Sequence, residues 1–479
     1  MLHLLTQRKV DSMYQTAISQ RPAKRITRAD VALGAMGVLL ATAVLTGNVA
    51  LTTPGAALAG LSLLVTLVVI AFARRQLRAD PRSAAFTRLA AGLALGTLLM
   101  AFAADALLLA AGWIVTGRMM AGLIGHVGSW DEAQDAARRA TIAFTISDLA
   151  LTGAVVVLAL AAGSTSIAAI TATIPAMAAG TTLAAALLMV LAAMARCATP
   201  PFSGWLIGSL AAPTPVSALM HAGFVNAGGF LLVRFATVLE AAPVAGYALF
   251  AAGIIAALVG SAIMLVRSDV KGALAASTVA QMGFMLLTIS LGAYIAALWH
   301  MVAHGLFKAW LFLGSSGTVS TAPVGRKGLS RPAPAIIALA VLVIMGWAIT
   351  TSAASALLPL GLALTALLGA LTVAMGKNGR SAGRSLHSLA LVAVPLVLIA
   401  FNAAALAALG TVQANAAAPL LPPLAQFALL SLLLGAWVIQ QRIGSGEHAL
   451  HPAIVARLLH VGAPTPALTP NALSTGPKD

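Results

Sequence analysis

The chain has 479 residues, of which 60% are hydrophobic and only 8% charged, and its mean hydropathy is +0.98. Soluble domains carry about 25% charged residues, so a water-soluble globule is excluded, as is a disordered chain. The single cysteine, Cys197, excludes a disulfide framework and a cysteine-held metal cluster, while the net charge of +16 has to be explained by where its residues fall.

Residues 1–30 lack an apolar stretch beside their charges and read as a cytoplasmic tail, not a signal peptide. Apolar runs long enough to cross a hydrocarbon core of ~30 Å then follow one another. They cover 31–50, 56–73, 87–103, 106–124, 140–163, 179–211, 214–235, 245–266, 272–290, 294–316, 333–351, 355–376, 386–409 and 423–440. Backbone exposed to lipid must satisfy its own hydrogen bonds, so these runs are helices. The reading is an all-α polytopic membrane protein of about fourteen transmembrane helices. Its membrane domain spans 31–440, with a core over 106–376. Residues 441–479 form a second cytoplasmic tail, and Pro464, Pro466, Pro470 and Pro477 mark its end as disordered.

Basic residues collect at nearly every second connection. Arg74, Arg75, Arg78 and Arg82 follow the second run, then come Arg138 and Arg139, Arg267 and Lys271, Arg326 and Lys327, and Lys377 and Arg380. The connections 164–178 and 410–422 carry no charge. Cytoplasmic loops gather Lys and Arg, so both termini are placed in the cytoplasm and the net charge becomes an orientation signal. Contact with anionic lipid is a secondary reading, and nucleic-acid binding is set aside.

Charges inside spans are costly and mark candidate sites. Asp148 lies within the fifth run, Arg196 just before Thr199-Pro200-Pro201, and His221 in the seventh run. His300, His304 and Lys308 are spaced i, i+4, i+8 and share one helix stripe. Histidine exchanges protons near neutral pH and a buried lysine can take and release them, so the stripe reads as a proton or ion path. The plainer alternative is a set of interhelical hydrogen bonds. Pro200 and Pro201 predict a break in the long run 179–211, of the kind transporters use to build ion sites. Arg196 then either sits inside the membrane beside that break or snorkels to the surface. Asp269 and Lys271 stand at a helix entrance, where the aspartate reads as a cap or as a gating group. No phosphate loop, HExxH, Rossmann pattern or serine triad is present, so the chain is not read as an enzyme and no cofactor is implied.

Three segments carry a resemblance. Pro213-Thr214-Pro215-Val216-Ser217-Ala218-Leu219-Met220-His221-Ala222 is similar to a PTPVSALxHA signature. Ser268-Asp269-Val270-Lys271, continuing through Ser277-Thr278 to Gln281-Met282-Gly283-Phe284, resembles an SDxKxxLAxST…QxGY stretch. His300-Met301-Val302-Ala303-His304-Gly305-Leu306-Phe307-Lys308-Ala309 resembles an HxxxHxxFKA helix. Together they resemble the proton-translocating antiporter-like family, the large membrane subunits of respiratory complex I (NuoL-type) and of Mrp cation/proton antiporters. Upstream, Trp113-Ile114-Val115-Thr116-Gly117, Arg138-Arg139 and Ser147-Asp148-Leu149 look like the DabB-type members, membrane subunits of inorganic-carbon accumulation complexes. Ala211 and Ile114 stand where the family often has glutamates, and Arg196 where it has a lysine.

The resemblance implies two inverted five-helix repeats, each with a broken helix, in a bacterial inner membrane. It implies a DabA-like cytoplasmic zinc partner that converts CO2 to bicarbonate, energised by protons or Na+ passing this chain. Lys308 and the three histidines would relay, and Arg196 with Asp148 would gate by charge pairing. The alternative implied is a proton-pumping NuoL/MrpA-like subunit of a complex I-type oxidoreductase or antiporter.

Overall fold

The computed structural model describes residues 52–315, 333–350, 420–444 and 450–462, with Gly361 and a few positions between 38 and 50. The expected runs 31–50, 355–376 and 386–409 and the tail 1–30 lie essentially outside the described residues, as do Pro464, Pro466, Pro470 and Pro477.

The elements follow one another as α1 (Thr53–Gln76), α2 (Ser83–Phe102), α3 (Ala106–Ile124), α4 (Asp131–Ala162), α5 (Ile167–Thr173), α6 (Ala179–Arg196), α7 (Gly204–Ile207), α8 (Thr214–Ala222) and α9 (Ala227–Arg234). Then come α10 (Ala236–Glu240), α11 (Pro243–Val266), α12 (Val270–Ser290), α13 (Tyr294–Ser315), α14 (Ala333–Thr350), α15 (Pro423–Gly444) and α16 (Pro452–Val461). Among the described residues 10 helical segments are long and apolar enough to cross a membrane, and no strand forms beyond two isolated bridges. Large apolar side chains point outward, such as Leu160 at 79% and Leu149 at 69% exposure, as a hydrocarbon solvent permits.

Local chemistry sets the boundaries. Asp105 caps α3 by accepting from the N–H groups of Leu107 and Leu108 at 2.9 and 3.1 Å, and it also accepts from the Thr165 hydroxyl. Helix α4 starts nine residues before the apolar run at 140, because Asp131 and Glu132 complement its N-terminal dipole. It ends at Gly163, which takes a left-handed φ of 63°. In the α1–α2 connection Asp80 accepts from the Arg82 N–H at 2.7 Å and meets the buried His126 ring at 2.9 Å. The Arg82 amide bond, aided by His126, holds the Asp80 carboxyl below its ordinary range.

Two interruptions shape the middle of the bundle. The run 179–211 is broken as expected, since α6 stops at Arg196 and a single turn, α7, resumes at Gly204. Gly204 faces open space, so the GxxxG spacing at 204–208 makes no packing contact there. The second interruption is not visible as a proline. The run 214–235 breaks at Gly223 into α8, a 3-10 turn (Phe224–Asn226) and α9. Asn226 donates to the Ala222 carbonyl at 2.7 Å, which satisfies a group that the break frees. Within the stretch read as tail, residues Pro452–Val461 form the short helix α16.

Helices α11 and α12 approach at backbone distance through small residues. A Cβ on Gly260 would meet the Ala276 carbonyl at 2.8 Å, and one on Gly283 would meet backbone atoms of Gly253, Ala256 and Ala257. Gly283→Val is therefore expected to force the pair apart and cost about 3 kcal/mol, the upper end for overpacking. Thermal melting of the purified protein checks this, and an unchanged midpoint would contradict the close packing.

Candidate functional site

The first cluster is built where α3, α4 and α6 meet. Trp113, Thr116 and Gly117 share a face of α3, and Phe144, Ser147 and Asp148 a face of α4, by i, i+3, i+4 spacing. Ser147 ties all three helices, accepting from the Trp113 indole N–H at 3.2 Å and donating to the Ala192 carbonyl at 2.8 Å. Arg196, on the last residue of α6, is fully buried. Its guanidinium donates to Thr116 Oγ1 at 3.2 Å, to the Trp113 carbonyl at 3.1 Å and to Asp148 Oδ1 at 3.1 Å. Trp113 and Phe224 flank it with ring centroids 4.2 and 4.6 Å from Cζ. Of the two readings of Arg196, the snorkelling one is thus excluded.

Asp148 accepts a second charged bond, from Arg118 Nη2 at 2.5 Å on its Oδ2. The carboxylate is 6% exposed and Arg118 is 40% exposed, so one anion stands between an inner and an outer cation. Arg118 was missed in the sequence, although a lone charge in the apolar run 106–124 is the same signal that marked Asp148. The Arg196 Nε is buried with no acceptor among the described residues, which leaves one donor of the site open.

The second cluster joins α8, α12 and α13. His304, Lys308 and Phe312 lie buried on one face of α13, as the i, i+4, i+8 spacing requires. Lys308 Nζ donates to Ser277 Oγ at 2.5 Å and to the Leu274 carbonyl at 3.0 Å. Thr278 Oγ1 donates to the same carbonyl at 3.0 Å and sits 3.0 Å from His221 Nδ1. Lys308 and His221 are therefore connected through two atoms of α12. The His221 ring stacks on Phe312 at 4.2 Å, and the rings of His300 and His304 stack 5.7 Å apart. The Nε2 atoms of His300 and His304 are buried without a partner among the described residues. Among the described residues no carboxylate lies within 4.0 Å of the Lys308 ammonium. Such a group is held by dipoles alone, with two of its three N–H donors placed.

The two clusters meet at one short segment. His221 ends one, and Phe224, three residues on, packs over Arg196 in the other. Phe224 stands with Phe144 and Trp205, its ring centroid 4.8 and 6.0 Å from theirs, so aromatic rings rather than a hydrogen bond fill the gap. Beside the Gly223 break a cavity of about 10 Å3, lined by Ser62, Thr66, Thr97, Leu219, Gly223 and Phe224, has room for about one water.

The remaining candidates stand apart. Pro200 and Pro201 lie in the connection after α6, joined by a cis peptide bond. Asp269 caps α12 through the Gly272 N–H at 2.6 Å and pairs with Arg267 Nε at 2.8 Å. Lys271 donates to the Ala212 carbonyl at 3.2 Å and so pins the start of α12 to the segment before α8. Asp269 and Lys271 fix a helix end. The hydroxyls of Ser277 and Thr278 belong to a recognised motif, but only the fold shows that they carry Lys308 and His221.

Residues 103–375 match the family model described as the NADH:quinone oxidoreductase/Mrp antiporter transmembrane region. A probable inorganic carbon transporter subunit DabB1 of Halothiobacillus neapolitanus is 35% identical over 265 residues, 54% of this chain and 47% of that protein. A probable inorganic carbon transporter subunit DabB of Bacillus subtilis is 48% identical over 131 residues, 27% of this chain and 26% of that one. Each alignment thus spans about half or less of the relative's length. Among solved structures, the Mrp complex from Dietzia sp. DQ12-45-1b has a similar fold, with a TM-score of 0.58, 24% identity, and coverage of 85% of this chain and 51% of that one.

Proposed function

The chain belongs to the NADH:quinone oxidoreductase/Mrp antiporter membrane family, and from that premise we propose that it is a DabB-like, ion-translocating subunit of an inorganic-carbon accumulation complex. It lies in a bacterial inner membrane with both termini cytoplasmic. It passes protons, or Na+, toward a DabA-like cytoplasmic zinc partner, whose CO2 hydration becomes one-way. The observation that carries this reading is the buried row of His221, His304 and Lys308, in which His221 and Lys308 are joined through Thr278 and Leu274, in a chain similar to inorganic-carbon transporter subunits. His300 and His304 keep open ring nitrogens on which protons can pause. Arg196 and Arg118 hold the two oxygens of Asp148, a charge pairing whose release would act as a gate.

A second reading, a proton-pumping subunit of a complex I-type or Mrp assembly, is favoured by the description of the matching family. Affinity purification of the tagged chain from its own membranes separates the two. The carbon reading predicts co-purification of a large zinc protein and growth of a deletion strain only at raised CO2. Co-purified flavin or iron–sulfur subunits, or a deletion strain growing normally in air, would overturn it.

A further inference from the structure

The α1–α2 connection holds a cavity that neither cluster uses. It has a volume of about 240 Å3 and is lined by Arg74, Leu77, Arg78, Ser83, Phe86 and Thr87. Leu77 and Phe86 are buried and form an apolar floor. Arg74, in the last turn of α1, and Arg78, in the turn just beyond its end at Gln76, stand exposed at the rim. No carboxylate neutralises them among the described residues. The nearest in sequence, Asp80, is engaged by the Arg82 amide and His126.

The same exposed face of α1 changes character along its length. Leu64, Leu67 and Val68 are 50%, 66% and 46% exposed, and the face continues through Ala71 to Arg74 and Arg75, with Arg78 in the turn beyond the helix end. An apolar strip that ends in guanidinium groups has the outline of a phospholipid with an anionic headgroup. Orientation alone explains why the arginines lie at this end of the bundle. It does not explain a cavity beneath them at the end of that lipid-facing strip. Arginine presents a planar fork that fits phosphate oxygens in bidentate fashion, and basic pockets between membrane helices suit such headgroups.

We propose that the cavity between the last turn of α1 and the first turn of α2 binds the phosphate of an anionic phospholipid, with its acyl chains along Leu64, Leu67 and Val68. Native mass spectrometry of the full-length protein in maltoside micelles tests this. The probes are phosphatidylglycerol, phosphatidylcholine and inorganic phosphate. Phosphatidylglycerol should occupy one strong site, and Arg74→Gln/Arg78→Gln should weaken it about tenfold. Arg138→Gln/Arg457→Gln, which removes two exposed charges elsewhere, should leave it unchanged. Equal binding of phosphatidylcholine, equal binding by the Arg74/Arg78 variant, or occupancy by inorganic phosphate with no preference for the lipid would overturn the proposal. If the glutamine variant fails to accumulate, Arg74→Lys/Arg78→Lys decides. Loss of the fork should then lower phosphatidylglycerol affinity about threefold, and undiminished affinity would count against the site.

Discussion

Asp148→Asn is expected to leave little folded protein in the membrane. The substitution keeps the shape of the side chain and removes the carboxylate that meets Arg196, which is fully buried, and it also releases Arg118. Two cations would then face one another with no anion between them. Breaking a buried pair by removing one partner costs about 3–5 kcal/mol, because the remaining charge is left uncompensated. The expected result is a large drop in melting temperature of the purified protein and in its membrane yield. Arg196→Gln combined with Asp148→Asn should recover part of the loss, since it removes the stranded charge. Asp148→Asn melting like the wild type, with the double variant no different, would show that the pair does not hold the three helices together.

Much of this arrangement is legible in the residues themselves. Asp148, Arg196, His221, His304 and Lys308 stand out because a hydrocarbon solvent makes each of them expensive, and all five are buried in the fold. The break after Arg196 follows from two adjacent prolines and a run too long for one span. Other features leave a weaker trace. The interruption at Gly223 is carried by a glycine in a chain with 43 of them, so composition cannot single it out. Ser277 and Thr278 are small hydroxyls that a membrane helix tolerates anywhere, and only the approach of α13 to α12 gives them a lysine and a histidine to hold. The division into two clusters, with Phe144, Trp205 and Phe224 between them, depends on tertiary packing that helix periodicity does not encode. Arg118 is a different case, since its signal was present in plain view.

Lys308→Met carries the other large effect, and it falls on function rather than folding. Methionine fills a similar volume and gives up two hydrogen bonds, to Ser277 Oγ and the Leu274 carbonyl. It also removes a buried charge that no carboxylate among the described residues accompanies, so stability should change by no more than about 1 kcal/mol. Ion passage, in contrast, should fall about a hundredfold, the lower range for losing a group that transfers protons. Lys308→Arg should not restore it, because arginine stays protonated at working pH and can hold a proton but not pass it on. A strain that relies on the chain for growth in air should therefore need added CO2 with either variant, at normal protein levels. Growth of the Lys308→Met strain in air would remove Lys308 from the relay.

Proton entry into sealed vesicles that contain the assembled complex, followed with a trapped pH-sensitive dye under an imposed membrane potential, addresses the claim most directly. The wild-type complex should acidify the lumen at least about tenfold faster than the Lys308→Met complex at equal protein content. Equal rates from the two would mean that protons do not travel through the buried row on α13.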